Sequence, residues 1–553
     1  MYTDFIDSLL NSRGIVSVEE KEKFLNPSYD GHLYDPYLMP DMERAVVRLF
    51  EAIEGKEKIV IYSDYDCDGI PGAVILHDLL KKVGYENFSV YIPDRHDEGY
   101  GLNHDAIETF ITEKTDLLIT IDLGSTDRGD IAYAQANGID VIVTDHHLPP
   151  LELPTPFAFV NPKVPGSKYP DPMLCGSGVI FKFVQGFLFK YREYFKIPVG
   201  YEKWLLDMTG LATLSDMVPL VDENRVLATY GLMVLRKSPR PGLRMLLAKA
   251  GVNQNNLSED DVTFMVTPRI NAASRMDSPM LAFRLLSTTD EKEASELVIR
   301  LEAINTERKT LVATIMKKVK KKLDEREIKD IVVIGDPSWR IGVLGLIAGK
   351  VCDMYGKPAF VWGREGSNGG TVIKGSCRSP AGVHVVGIMR GVENSFINVG
   401  GHAQAGGFSI LEENIHTLEE KLLSSYEKVS LMSHVDSEKM ENMFELRLDD
   451  IREEHYKAIQ TLAPFGFGNP KPLFRFTNAV VGDVKLFGKE KNHLELTLVH
   501  DKGERKAICF FIEDTVRDAL PKKGEKIVIN GTLEISYFAG RVTKRIRIVK
   551  IEI

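Results

Sequence analysis

Aspartates at alternate positions follow a short apolar run in Asp64-Tyr65-Asp66-Cys67-Asp68-Gly69. Two more apolar runs end in the same way. D-L-L-I-T-I-D (116–122) delivers Asp122 just before Gly124, and D-V-I-V-T-D (140–145) delivers Asp145, His146 and His147. A fourth acidic motif, T-L-S-D-M-V-P-L, holds Asp216. Carboxylate oxygens with imidazole nitrogens suit Mn²⁺ or Mg²⁺ better than thiolates would. Two such ions roughly 3.5–4 Å apart can activate a water and stabilise in-line displacement at phosphorus. Singly, each signal is weak: D-x-D is often a solvated turn, and Asp-His-His can start a capped helix. Four such endings together are hard to attribute to turns, and they predict a metal site.

The elements that must position these residues alternate. K-I-V-I-Y-S (58–63) reads as a buried strand and G-A-V-I-L-H-D-L-L-K-K-V (72–83) as the helix after it. The runs at 116–122 and 140–145 are two more strands with helical sequence between them. Continuous apolar strands alternating with helices indicate an α/β fold with a parallel sheet covered on both faces. Ligands of such sheets bind beyond the carboxyl ends of the strands, where the acids and imidazoles fall. Residues 1–50 read as short helices broken by Pro27, Pro36 and Pro40. Residues 291–330 are charged, helix-favouring and free of proline and glycine, which predicts a long connector. A solvated helix face is the plainer reading of its charge run. A second α/β region starts at D-I-V-V-I-G (330–335) and runs to about residue 430. From about residue 440 apolar residues alternate with polar ones, as in Leu494, Leu496 and Leu498 or Ile546 and Ile548, which predicts a small β-barrel of OB type.

A chain of 553 residues exceeds what a single core supports, so several domains are expected. No apolar run is long enough to span a bilayer, and the first residues lack the pattern of a secretory signal. Five scattered cysteines, never in Cys-x-x-Cys, argue against a disulfide framework and a zinc ribbon. A cytoplasmic protein is expected. The net charge of −10 disfavours nucleic acid when taken alone, but its distribution does not. Residues 471–553 hold 17 Lys and Arg against 11 Asp and Glu, a net of +6, which leaves −16 for the rest. An acidic body with a basic tail fits metal-binding carboxylates in one place and phosphate binding in another.

These motifs resemble the DHH phosphoesterase superfamily and, within it, the RecJ family of single-strand-specific exonucleases. D-Y-D-C-D-G, I-D-L-G, D-H-H and L-S-D-M-V-P-L are similar to the superfamily's four motifs in order. D-E-G-Y-G-L (97–102), V-N-P-K (160–163), C-G-S-G-V (175–179) and P-R-I-N-A-A-S-R-M (268–276) resemble RecJ segments between and after them. K-G-S-C-R-S (374–379) and G-G-H-A-Q-A-G-G (400–407) are similar to the DHH-associated domain. F-G-F-G-N-P-K-P-L-F (465–474), with the alternating strands after it, is similar to the family's OB domain. The implied division is an N-terminal helical segment (1–50), a DHH domain (51–240), a helical connector (241–330), a DHH-associated domain (331–432) and an OB domain (440–553).

The resemblance implies two Mn²⁺ or Mg²⁺ ions, one on Asp64 and Asp122, the other on Asp66, Asp122, His146 and Asp216, with Asp122 bridging. It implies that His147 contacts phosphate or orients a ligand, and that Asp68 and Asp145 hold ligands in place. For Asp68 a turn role ahead of Gly69 is an equal alternative. It places Ser376, Arg378 and His402 on substrate phosphate, with Arg269, Asn271 and Arg275 as further backbone contacts. Three positions depart from the pattern: Tyr62 stands where some members have histidine, Arg340 follows Trp339 where histidine is frequent, and Gly406-Gly407 replaces Ala-Gly.

The implied activity is 5′→3′ hydrolysis of single-stranded DNA to mononucleotides in recombination and repair, by a monomer working with a single-strand-binding protein and a repair helicase. The basic barrel, with Phe474, Phe476, Phe487, Tyr537 and Phe538 as candidate stacking rings, argues for a polymer substrate. Most aromatics in a small barrel are nevertheless core. A narrow cleft between the two lobes would admit one strand and exclude a duplex. The rival readings are a phosphodiesterase for short oligoribonucleotides or cyclic dinucleotides, and a replication scaffold that has lost its metals. Absence of a barrel would favour the former, and loss of the acids the latter.

Overall fold

Short strands rich in Val and Ile build the five-stranded sheet that carries the acids, and all but the partly exposed edge strand at 88–91 are buried on both faces. The computed structural model describes residues 2–364, 371–432, 443–488, 491–512, 517, 520–538 and 541–552. Strands β1 (Ile59–Ser63), β2 (Phe88–Tyr91), β3 (Leu117–Ile121), β4 (Asp140–Thr144) and β5 (Ala158–Val160) pair in the order β2-β1-β3-β4-β5, all parallel. Strand order reverses between β1 and β3, the point at which a doubly wound sheet opens a crevice. Helix α1 (Gly69–Lys82) follows β1 and packs on α2 (Gly176–Tyr191) and α3 (Leu206–Ser215). On the opposite face Val60, Tyr62, Leu118, Val141 and Val143 share a core with Ile107, Phe110 and Ile131.

Beyond this sheet, α4 (Thr267–Met276) packs against α5 (Glu291–Asp324), a single helix of 34 residues. At 1.5 Å per residue it is about 50 Å long. Asp290 caps it, Glu291 and Glu293 lie in its first turn, and Lys321 and Lys322 lie in its last, all matched to the helix dipole. A second sheet follows, from β6 (Val332–Gly335), β7 (Ala359–Gly363), β8 (Val372–Arg378), β9 (Asn398–Gly401) and β10 (Ala405–Leu411), in the order β6-β7-β8-β10-β9. Only β6 and β7 are parallel. Helix α6 (Ile341–Tyr355) covers β7 and β8. Both sheets and the long helix belong to one unit, residues 34–216 with 231–438.

Residues 1–33, 217–230 and 439–553 form the other unit. Its strands are β11 (Phe444–Glu445), β12 (Phe474–Phe487), β13 (His493–His500), β14 (Gly503–Phe510), β15 (Lys526–Phe538) and β16 (Arg541–Glu552). They run β11-β12-β13-β14-β16-β15, and β15 pairs back onto β12, so five strands close on themselves. The alternating Leu494, Leu496, Leu498, Ile546 and Ile548 face its core. Ile6, Leu9 and Leu10 join the same core, which divides the 1–50 segment of the sequence reading between the two units. Of the candidate stacking rings, Phe474 and Phe476 are fully buried core residues, and the side chains of Tyr537 and Phe538 lie outside the described residues. Among the described residues, no helix is long and apolar enough to cross a membrane.

Candidate active site

The carboxyl ends of β1, β3 and β4 deliver Asp64, Asp122 and Asp145 side by side, because parallel pairing aligns the strands in register. Asp122 adopts left-handed backbone (φ 64°), and its amide still donates to the Thr144 carbonyl at 3.0 Å. That conformation is uncommon for a residue with a Cβ and is held by its surroundings. A Cβ on Gly176 would lie 2.5 Å from the Asp122 Cβ, so only glycine fits at the start of α2.

Three clusters of ligand atoms form here: Asp64, Asp66 and Asp122; Asp68, His146 and Asp216; and Asp122, His146 and His147. Burial, and then the neighbouring aspartates, push the carboxyls of Asp64, Asp122 and Asp216 well above the usual range. Asp64 Oδ1 and Asp122 Oδ1 are buried and accept no hydrogen bond. Unsatisfied, mutually repelling oxygens are costly unless cations lie between them. The donor set, of carboxylate oxygens with imidazole nitrogens, fits Mn²⁺ or Mg²⁺.

His146 presents the correct nitrogen. Its Nδ1 donates to the Leu174 carbonyl at 2.9 Å, which leaves Nε2 as a lone pair 3.2 Å from Asp122 Oδ1 and 3.8 Å from both Asp68 Oδ2 and Asp216 Oδ2. Burial, with His147 adding to it, lowers its pKa to about 3, so the ring is neutral. A ring oriented through its far nitrogen is the usual arrangement of a metal-binding histidine. Asp145 is buried and accepts from the His147 ring at 2.8 Å, from the amides of His146 and His147 at 2.7 and 3.1 Å, and from the Ser125 amide at 2.9 Å. Burial opposes its charge, but these donors outweigh it and hold the carboxyl well below the usual range. Asp68 accepts from the Gly176 and Ser177 amides at 2.6 and 2.7 Å, anchoring α2. Burial and Asp66 still raise it to about 6.

The second sheet presents its residues opposite. His402 lies in the β9–β10 turn, and its ring is 5.8 Å from that of His147, nearly parallel to it. Ser376 and Arg378 sit on one side of β8, where a Cβ on Gly345 of α6 would meet Arg378 Nη2 at 3.2 Å and Ser376 Oγ at 3.7 Å. Arg275 donates to the Gly342 carbonyl at 3.0 Å. Burial, and then Arg95, Arg308 and Arg378, lower the Arg275 pKa to about 9. None of these four arginines has a carboxylate at ion-pair distance among the described residues. A cluster of guanidiniums without counter-ions is built to receive anions.

Comparison with known proteins agrees on the family. The model described as "DHH family, N-terminal domain" matches residues 58–213, "DHHA1 domain" matches 327–428 and "RecJ OB domain" matches 444–550. The chain is 33% identical to the single-stranded-DNA-specific exonuclease RecJ of Bacillus subtilis, over 98% of its own length and 66% of that protein. It is 29% identical to the RecJ of Haemophilus influenzae, over 99% of its length and 96% of that protein. A crystal structure of RecJ in complex with Mn²⁺ from Thermus thermophilus superposes with a TM-score of 0.78 at 25% identity, covering 98% of this chain and 75% of that one. The chain belongs to the RecJ family.

Not every residue singled out in this RecJ-family sequence reaches the site. Arg269 is buried between α4 and α5, paired with Glu302 at 2.7 Å and donating to the Met265 carbonyl at 2.6 Å, so its guanidinium is committed to helix packing. Tyr62 points away into the core, with its hydroxyl on the Gly101 carbonyl at 3.1 Å, and offers the acids no ligand. Arg340 is exposed and pairs with Glu307 at 3.0 Å. The split of the acids also differs from the one implied by resemblance: Asp66 stands with Asp64 and Asp122, and Asp68 stands with His146 and Asp216. Two residues escaped the sequence reading. Arg95 lies over the Tyr65 ring at 4.8 Å, just upstream of D-E-G-Y-G-L. Lys163 closes V-N-P-K: burial lowers its pKa, against the pull of Asp216, Asp145 and Asp122 nearby. Their signal was adjacency to quoted motifs, which is too weak to use without geometry.

Proposed function

We propose that the chain is a 5′→3′ exonuclease hydrolysing single-stranded DNA to mononucleotides, in DNA recombination and repair. One observation carries this reading: an acidic cluster with unsatisfied oxygens lies in the same unit as a guanidinium cluster without counter-ions among the described residues. Asp64, Asp66, Asp122, His146 and Asp216 would hold two Mn²⁺ or Mg²⁺ ions, with Asp122 shared. When bound, the ions supply an activated water and neutralise charge on the phosphoryl oxygens. Asp68, both of whose oxygens accept from the backbone amides of Gly176 and Ser177, and Asp145 hold the ligands in place. Asp145 also orients His147, which faces the scissile phosphate from one lobe as His402 does from the other. Arg275, Ser376 and Arg378, joined by Arg95, seat the terminal phosphate, and Asn271 lines the path beside them. Burial keeps water from competing for these donors.

The match to the RecJ OB domain favours a polymer over a dinucleotide, since residues 471–553, which include the barrel strands, carry a net charge of +6. The proposal includes the division into an N-terminal helical segment (1–50), a DHH domain (51–240), a connector (241–330), a DHH-associated domain (331–432) and an OB domain (440–553). It also includes a monomeric, cytoplasmic protein that meets single-strand-binding protein and a repair helicase on its substrate.

The test is digestion of 5′-labelled and 3′-labelled single-stranded DNA with Mn²⁺, beside a duplex and a short RNA. Immediate release of the 5′ label as mononucleotide with the duplex intact is the expected result. Attack from the 3′ end, or preference for the RNA, overturns it. Binding without cleavage assigns the chain to the scaffold reading.

A further inference from the structure

The long helix α5 carries two arginines, Arg300 and Arg308, and two of its glutamates pair with arginines from outside it. Arg300 pairs with Asp277, and Glu302 and Glu307 take Arg269 and Arg340. Arg308 is different. Its Nη2 donates to Asn305 Oδ1 at 2.9 Å, its Nε is buried without a hydrogen-bond partner, and no carboxylate lies at ion-pair distance among the described residues. Asn305 is fully buried, and its Nδ2 also lacks a partner. Across the packing of α4 on α5, Asn271 Oδ1 is a third buried polar atom with none. Asn271 and Arg275 are four residues apart on α4 and share a face. Arg308 is in turn close enough to Arg275 to oppose its charge.

An unsatisfied buried donor or acceptor costs about 1–3 kcal/mol, so three on one pair of packed helices are a poor way to hold them together. They are a good way to receive a tetrahedral anion. Arg308, held by Asn305, brings a charged donor, and turning the Asn271 amide over supplies another. We infer that the seam between α4 and α5 is a further phosphate subsite, in which Arg308, held in place by the buried Asn305, and Asn271 grip an internucleotide phosphate of the single strand next to the group seated by Arg275. The inference rests on the proposed substrate. It adds the long helix, otherwise a spacer, to the surface that holds the strand.

The test is binding rather than cleavage. The full chain in EDTA is titrated, by fluorescence anisotropy, into 5′-phosphorylated oligo-dT of about twelve nucleotides. A neutral methylphosphonate then replaces each internucleotide phosphate in turn. One linkage near the phosphorylated end should weaken wild-type binding about tenfold, the scale of one charged hydrogen bond. Arg308→Ala should weaken binding of the unmodified strand equally and be indifferent to that linkage, while Arg308→Lys keeps the sensitivity. If Arg308→Ala does not fold, as judged by thermal melting, Arg308→Gln replaces it in the comparison. The inference is overturned if removing the guanidinium leaves binding unchanged, or if its loss adds to neutralisation at every linkage, as a purely structural residue would behave. A wild type that binds no single strand overturns the substrate reading and this inference together. One that binds but has no linkage coupled to Arg308 overturns this inference alone.

Discussion

Asp122 is where backbone strain, burial and charge meet. Its left-handed backbone aims the carboxylate between Asp64 and His146, and Gly176 leaves it room. Asp122→Ala should therefore abolish nuclease activity and remove the tightest Mn²⁺ binding step seen by calorimetry, while the melting temperature of the metal-free protein holds or rises. Full retention of activity would exclude the assigned ligand set. Gly176→Ala should do comparable damage from outside the set, because its Cβ would displace the Asp122 carboxylate. Asp145→Asn keeps the shape of the side chain but weakens its hold on His147, and should cost about 10–100-fold in activity or metal affinity. Arg378→Ala should raise KM for single-stranded DNA about 10–100-fold with kcat less affected, since it removes a charged hydrogen bond to phosphate.

At the scale of elements, helix ends and helix seams position these residues. Arg240 is largely buried and joins Asp78 of α1 to Asp207 of α3, at 2.7 Å each. Burial raises the Asp78 pKa, but Arg240 and His77 outweigh it and hold the carboxyl below its ordinary value. A depressed pKa stabilises the fold above the unfolded pKa, near 4, and that contribution is lost as pH falls through the folded value. Melting temperatures of wild type and Arg240→Met should thus differ most at neutral pH and converge in acid. Divergence on acidification would contradict the assignment. Similarly, Glu302→Ala strands the buried Arg269 guanidinium, and urea unfolding should register a loss of about 3–5 kcal/mol.

At the scale of the whole molecule, the closed five-stranded sheet does not form its core alone. Leu9 and Leu10 are fully buried among Tyr456, Phe474 and Phe476, although more than 400 residues separate them along the chain. Leu10→Ala should destabilise that unit by about 2–5 kcal/mol. Hydrogen exchange should then accelerate across β12–β16 while β1, β3 and β4 keep their protection. Uniform acceleration throughout the chain would show that the two units unfold as one.

What the sequence determined by itself was local and repetitive. Continuous apolar runs required buried parallel strands, acids and imidazoles at their ends required a site on the sheet rim, and period-two alternation required the terminal β-structure. Each of these follows from side-chain periodicity and burial, which neighbouring residues carry without reference to the rest of the chain. The tertiary structure decided what depends on partners far apart in sequence. It brought the guanidiniums of Arg95, Arg275 and Arg378 together and committed Arg269 to Glu302, although Arg269 and Arg275 share one motif. It buried Phe474 and Phe476 as core and turned Tyr62 away from the acids. It also placed the first helices in the barrel's core. A charge's role depends on whether a counter-charge reaches it through space, and an apolar ring's role on which surface covers it. No spacing within the sequence encodes either.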